Sequence, residues 1–192
     1  MNNMAIIKRI LTEKKLVLKD SDEVRLILGQ SPYPDTSKRT IMNSNYPFSV
    51  AAFVTPSFEE TIQLFCVMNL FFGLDNAKIL INEFKNSNVS GQDFVCYLGS
   101  NFNIYFGNVS EKNNVSNFLT SHPNANILCC GRASQKYIKY LKYIKNFKIF
   151  NKRVFNIVYP GSFTFSKSST VKQWLVFSHA NSKPILKTFR LV

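Results

Sequence analysis

The feature that most constrains this chain is a set of short apolar runs, each ending in turn-forming residues. Residues 24–28 climb through Leu26, Ile27 and Leu28 into Gly29-Gln30-Ser31-Pro32-Tyr33-Pro34. Residues 127–130 (ILCC) enter Gly131, and residues 154–158 enter Tyr159-Pro160-Gly161. Apolar strands of this kind suit a parallel sheet covered on both faces. Helical patterns lie around them. Ile6, Ile7, Ile10 and Leu11 recur at helical spacing. After Pro56, Ser57 and Glu60 have the spacing of a capping box, which predicts a helix from there to about Phe72, stopped by Gly73. Asp75 is expected to cap a shorter helix to Phe84. Residues 94–98 (FVCYL) read as a second strand with its turn at Gly99, and residues 111–120 as a helix. Over residues 134–147, Ile138, Leu141 and Ile144 point inward while Lys136, Lys139, Lys142 and Lys145 wind around outside. Residues 159–168 read as a loop, and a last helix is expected around Trp174. Strands alternating with helices predict an α/β fold, a sandwich with a central four-stranded, mostly parallel sheet. Ligands of such sheets bind beyond the carboxyl ends of the strands. The stretch from residue 29 to 56 is a long segment rich in Ser, Asn, Thr and Pro, and loops of that length are usually functional.

Composition narrows the function classes. With 192 residues and 45% hydrophobic content, the chain can bury one sizeable core and is expected to be a single domain, residues 1–192. No run approaches the roughly 18 apolar residues of a membrane span. The start lacks the pattern of a secretory leader. Four cysteines without a CxxC pair, and only two histidines, predict no metal site and buried thiols in a reducing intracellular compartment, the cytoplasm, nucleoid or nucleus. No cofactor is expected.

Charge is the strongest signal of a partner. The net charge is +13, and it is unevenly spread. Residues 1–111 carry ten Lys/Arg and all eleven acidic residues, whereas residues 112–192 carry fourteen Lys/Arg and no acid. A lobe of that kind calls for a polyanion, with nucleic acid first and an anionic membrane surface second.

Six segments in order add a resemblance. "LILGQSPYP" resembles the "GQDPYH" turn of family 1 uracil-DNA glycosylases, and "YPFSVAAFVTPSFEE" resembles the "LAFSV" and "PPS" segment that follows it. "QDFVCYLGSNFN" sits where that family has a strand ending in a uracil-reading asparagine. "ILCCGRASQK" is similar to "LLWGSHAQK", "VYPGSFTFSK" stands in the place of "HPSPLS", and "QWLVFSHANSKPI" resembles "QWL...GETPI". The match spans residues 24–185. It implies a three-layer α/β/α sandwich of the uracil-DNA glycosylase type and a pocket for a base flipped out of DNA.

The resemblance also implies roles. Gln30 and Tyr33 would line the base pocket, with Tyr33 excluding 5-methylated bases. Phe48 would stack on the base, though core packing also accounts for such a ring. Asn101 and Asn103 are both candidates to read the base edge, and strict register would place Leu98 there. Pro56 and Ser57 would press on the DNA backbone, though a helix cap also accounts for Ser57, and Gly131, Arg132, Ser134, Gly161, Ser162 and Lys167 would bind DNA. Phe163 would be the apolar wedge that fills the vacated stack.

Two positions depart from that pattern. Ser31 stands where the family has its catalytic aspartate, and Tyr159 where it has its catalytic histidine. Glycosidic cleavage passes through an oxocarbenium-like state that a carboxylate stabilises, and a serine hydroxyl supplies no such field. Tyr159 could still donate a hydrogen bond to a leaving base. Asp35 is the nearest carboxylate that could stand in, although a solvated turn aspartate is the simpler reading. His122 in "SHPNAN" reads as part of a helix-to-strand loop, and His179 as structural.

The expectation is therefore a glycosylase-like DNA-binding protein that probes bases, with weak or lost cleavage. The alternative is an active DNA glycosylase, excising uracil or another modified base with non-standard groups. A more remote option is a structural protein whose basic face binds RNA or a membrane. The expected partners are single- or double-stranded DNA, including uracil-containing DNA, and a protein of repair or replication, with no membrane. Each DNA-binding version predicts affinity that falls steeply with salt, by a log–log slope of about −0.9 for each phosphate neutralised in duplex DNA. Equal affinity for duplex DNA at low and physiological salt would contradict it.

Overall fold

The computed structural model describes residues 3–143, 153–157, 159–160 and 182–192. Four strands form one all-parallel sheet: β1 (Arg25–Gly29), β2 (Ile104–Asn108), β3 (Asn126–Cys130) and β4 (Val154–Ile157), in the order β2-β1-β3-β4. Around it the described residues form seven α-helices: α1 (Asn3–Glu13), α2 (Ile62–Phe72), α3 (Leu74–Asn86), α4 (Gly91–Phe102), α5 (Lys112–Ser121), α6 (Arg132–Tyr143) and α7 (Ser182–Phe189). The result is a three-layer α/β sandwich.

The strands alternate their side chains between two cores. Ile27, Ile104, Phe106, Leu128 and Cys130 pack with α1 to α4 and α7, while Leu26, Leu28, Ile127 and Cys129 pack with α5 and α6. Burial on both faces explains why β1 and β3 show almost no polar alternation. The chain leaves β1 for β2 on one side, then moves from β2 to β3 and β4 on the other. That reversal opens a crevice beyond the carboxyl ends of β1 and β3, where α/β sheets place ligands.

Three local expectations are corrected. Residues 94–98 are not a strand but the middle of α4. Ser90 caps this helix by accepting from Asp93 N at 3.0 Å, and its hydroxyl also donates to the Asp93 carboxylate. The spacing Ser90-x-x-Asp93 is itself a capping signal, and it outweighs a short apolar run that suits either element. The helix ends at Asn103 in the left-handed region (φ 52°), and the real second strand follows at Ile104. The expected turn at Gly99 therefore lies inside α4.

Ser57 does not cap α2. Phe58 has φ 52° and buries its ring against Phe84 and Phe94, with centroids 5.2 and 5.4 Å away, which interrupts helical backbone there. The helix begins later, capped by Thr61 Oγ1, which accepts from Leu64 N at 3.1 Å. Asp75 likewise sits in the first turn of α3, while Gly73 holds the N-cap position. The part of the 134–147 helix beyond Tyr143, Val158, most of the 159–168 loop and the helix around Trp174 lie outside the described residues.

The segment between β1 and α2 is ordered by pairing and capping. Ile41 and Val50 form an antiparallel bridge, and Thr40 Oγ1 donates to Val54 O at 2.9 Å. Tyr46 shields the edge of the sheet, its hydroxyl accepting from Phe106 N at 2.7 Å. Edge N–H groups of this kind are otherwise templates for unwanted pairing.

Two glycines of α4 give a paired test. A Cβ on Gly91 would lie 2.3 Å from Thr55 O, a backbone atom that cannot swing away. A Cβ on Gly99 would meet nothing nearer than 3.5 Å, within a helix interior. Gly99→Ala is expected to stabilise by about 1 kcal/mol, through the helix preference of alanine. Gly91→Ala is expected to destabilise by about 1–3 kcal/mol through overpacking. Urea midpoints read both, and a loss at Gly99→Ala would contradict the helix.

Candidate functional site

The turn after β1 is held from three sides. Tyr33 is buried enough for its hydroxyl to reach Thr61 Oγ1 at 3.2 Å and Phe53 O at 3.4 Å. Arg39 Nε donates to Tyr33 O, and Arg39 Nη2 donates to Pro34 O at 3.1 Å. The two prolines fix the backbone, and Arg39 and Thr61 then fix where the ring points. Burial pushes the Tyr33 hydroxyl up to about 12, with the Thr61 hydrogen bond opposing and Tyr159 nearby adding to it.

Asp35 does not supply the missing carboxylate. It is fully exposed and caps the 3₁₀ turn Thr36–Lys38, its Oδ1 accepting from Ser37 N at 3.0 Å and Ser37 Oγ at 2.7 Å. Those hydrogen bonds, helped by Lys38 and Arg39, hold its pKa below the usual value. It serves the turn and is not aimed at the crevice.

At the heart of the crevice stands Phe53. A Cβ on Gly29 would come within 3.0 Å of Phe53 Cζ, 3.1 Å of Asn108 Oδ1 and 3.2 Å of Ala52 Cβ, so any larger residue would press on all three groups at the end of β1. Phe53 is 5% exposed, has φ 66°, and lies with its ring centroid 5.9 Å from that of Tyr159. A left-handed backbone at a bulky residue costs roughly 1–2 kcal/mol, and such strain gathers at functional sites. Around the ring only a narrow cleft remains, of about 10 Å³, lined by Ser31, Pro32, Tyr33, Ala51, Ala52, Phe53 and Tyr159. That is room for about one water and not for a pyrimidine ring.

The other base-pocket expectations move. Phe48 is 1% exposed on the opposite face of the sheet, against Gly107 and with its centroid 5.4 Å from Phe118. It is a core ring. Asn101 donates from Nδ2 to Tyr97 O at 2.9 Å on α4, and Asn103 caps that helix. Both lie at the amino end of β2, away from the crevice, because strand two starts after them. The asparagine at the carboxyl end is Asn108, which donates from Nδ2 to Val50 O at 3.0 Å. Reading 94–98 as a strand hid it. Gln30 is exposed, and its carbonyl accepts from Ser110 N at 3.2 Å.

The far wall comes from β3 and β4. Gly131 has φ 93°, and a Cβ there would strike Tyr159 Cβ at 2.8 Å, so Tyr159 packs directly on this turn. Burial raises the Tyr159 pKa, a hydrogen bond with the Gln63 side chain opposes it, and Cys130 adds a smaller rise. Ser134 is fully buried and donates to Gly131 O at 2.9 Å, so it secures the turn and cannot contact DNA. Arg132, at the start of α6, is exposed. With Lys136, Lys139, Lys142, Tyr143 and Asn156 it lines a groove of about 390 Å³ between α6 and β4.

Pro56 is half-buried, with its carbonyl accepting from Gly91 N at 2.7 Å, and Ser57 is exposed. Gly161, Ser162, Phe163, Lys167 and His179 lie outside the described residues. His122 stacks on Phe118 with centroids 4.5 Å apart, at the end of α5. All four cysteines are free thiols, and burial pushes Cys66 and Cys129 up to about 12, so they are poor nucleophiles. Among the described residues no cluster of His, Cys, Asp or Glu could hold a metal ion, and no single helix is long and apolar enough to cross a membrane.

No protein-family model, curated protein or solved structure matches the chain. Its function has to be read from this geometry.

The Tyr33 lock predicts an alkaline signature. A hydroxyl at about 12 when folded, against about 10 when unfolded, binds its proton more tightly in the native state. Its stability contribution is complete below pH 10 and is lost as pH rises from about 10 to 12, by at most about 1.4 kcal/mol per unit. Tyr33→Phe is expected to flatten the fall of urea midpoints in that window. An unchanged slope would contradict the burial of Tyr33.

Proposed function

We propose that the protein is a uracil-DNA-glycosylase-like DNA-binding protein that probes bases at the crevice beyond β1 and β3, with N-glycosidic cleavage weak or lost. The observation that carries this reading is the convergence of Ser31, Tyr33 and Tyr159 on one cleft that no charged side chain lines. These three come from the turn after β1 and the end of β4, distant in sequence, and they are the positions that the resemblance marks for chemistry and base selection. Without a carboxylate beside the sugar, an oxocarbenium-like state has no field to stabilise it. Loss of one positioned group typically costs about 10²–10³ in rate.

In this reading the ring of Phe53 is a plug. A flipped base enters only when the Phe53 ring swings out of the cleft. Tyr33, locked by Thr61 and Arg39, then stays as the fixed wall that rejects a 5-methyl group. The cations along α6, which starts at Arg132 just after the Gly131 turn, supply a sequence-independent hold on phosphates.

Incubation with single-stranded DNA carrying one uracil, followed by alkali, tests the chemistry. Stoichiometric protein is expected to give no strand scission over hours. Efficient scission would overturn the non-cleaving reading in favour of an active glycosylase with Tyr159 as donor to the leaving base. The double variant Lys136→Gln, Lys139→Gln is expected to reduce the salt slope of duplex binding by about 2, one for each phosphate left without its lysine. An unaltered slope would remove α6 from the interface.

A further inference from the structure

A second cleft lies at the opposite, amino end of the sheet, and its chemistry is different. It has a volume of about 420 Å³, and Arg25, Arg153, Lys187 and Arg190 line it together with Lys19, Asp20 and Glu23. Five cations face two carboxylates. Arg25, the first residue of β1, is 2% exposed and is among the largest fully buried side chains. Its Nη1 donates to Thr188 O at 3.2 Å and its Nη2 to Phe102 O, at the ends of α7 and α4. Its Nε has no partner among the described residues, and neither does Nε of Arg190.

No carboxylate of the described residues lies within ion-pair distance of Arg25, Lys187 or Arg190. Glu23 is drawn elsewhere, accepting from Asn126 Nδ2 at 2.8 Å and lying 3.9 Å from Arg153. Lys19 donates to Val192 O at 2.9 Å. The two helix ends contribute about −0.5 charge each, which offsets only part of the excess. Buried charge without a paired counter-charge is expensive: burial lowers the pKa of both arginines, and for Arg25 the nearby Glu23 opposes this only in part.

We infer that this amino-end cleft is a binding site for a phosphate-class oxyanion. A guanidinium fork matches phosphate geometry, and the net positive balance favours an anion carrying more than one charge. The volume admits a ligand up to the size of a mononucleotide. The site is separate from the crevice that probes bases, and it stands whether or not that reading does.

Thermal melting of the full chain at constant ionic strength tests it, with inorganic phosphate, dAMP and chloride as probes. A ligand that binds only the native state raises the Tm with concentration. Phosphate or dAMP is expected to raise the Tm above the chloride control. A larger shift with dAMP assigns the site to a nucleotide, and equal shifts assign it to the free anion. Lys187 is exposed, so Lys187→Gln is expected to fold, to bind duplex DNA as before, and to weaken the anion about tenfold, as for loss of one charged hydrogen bond. No shift beyond chloride would overturn the inference. So would a shift that survives Lys187→Gln but is lost in Lys136→Gln, Lys139→Gln, which would place the anion on α6.

Discussion

The position of Phe53 rests on its close approach to Gly29 at the end of β1. With no side chain at Gly29, the Phe53 ring, the Asn108 amide and Ala52 close over the end of β1, and the Tyr159 ring lies 5.9 Å from that of Phe53. The rest of the crevice follows from that closure. Tyr33 donates to the Phe53 carbonyl, Thr61 ties Tyr33 to the cap of α2, and Arg39 holds the turn's own carbonyls. On the other side, Asn108 and Glu111 hold the chain just before Phe53. Asn108 donates to Val50 O, while the Glu111 carboxylate accepts from Ser49 N at 2.7 Å and Val50 N at 3.2 Å. A strained residue persists only where its surroundings over-determine it, and here they do.

The two ends of the sheet divide the electrostatics. At the carboxyl end the cleft itself carries no charge, and the cations of α6 line a separate groove that reaches Val154, the first residue of β4. In the proposed reading the α6 cations hold a backbone, and the cleft, once Phe53 has moved, offers a base no charge that would assist bond breaking. At the amino end the cations are inside the cleft, one of them buried. In the proposed reading these are sites for different ligands, a polyanion tracking a surface and a compact anion entering a hole, and the uncharged cleft and the cationic one lie a strand length apart.

The architecture was legible because burial on both faces leaves a simple trace. β1, β3 and β4 appear as apolar runs before a turn, and α1, α5 and α6 as periodic patterns. β2 was not legible: Tyr105 and Gly107 interrupt its apolar pattern, and the preceding helix carries the more strand-like sequence at residues 94–98. With β2 hidden, Asn101 and Asn103 stand forward in the sequence, and Asn108 at the carboxyl end of β2 does not. Ser31, Tyr33 and Tyr159 could be placed because turns after strands announce themselves through Gly and Pro. Phe53 could not, since its role comes from a left-handed backbone and from packing against residues distant in sequence. Arg25 reads as a polar interruption of a strand, and only the ends of α4 and α7 reveal what it touches.

The central claim is that a base enters the crevice and remains attached to its sugar. The most direct measurement places 2-aminopurine beside a single uracil in duplex DNA and follows its fluorescence on binding, with the same samples then assayed for abasic sites. Extrusion of the uracil unstacks its neighbour, so a fluorescence rise is expected with wild-type protein, and no abasic product. Binding without a rise would contradict base entry and leave the protein holding only the backbone. A rise accompanied by abasic product would mean that the crevice cuts.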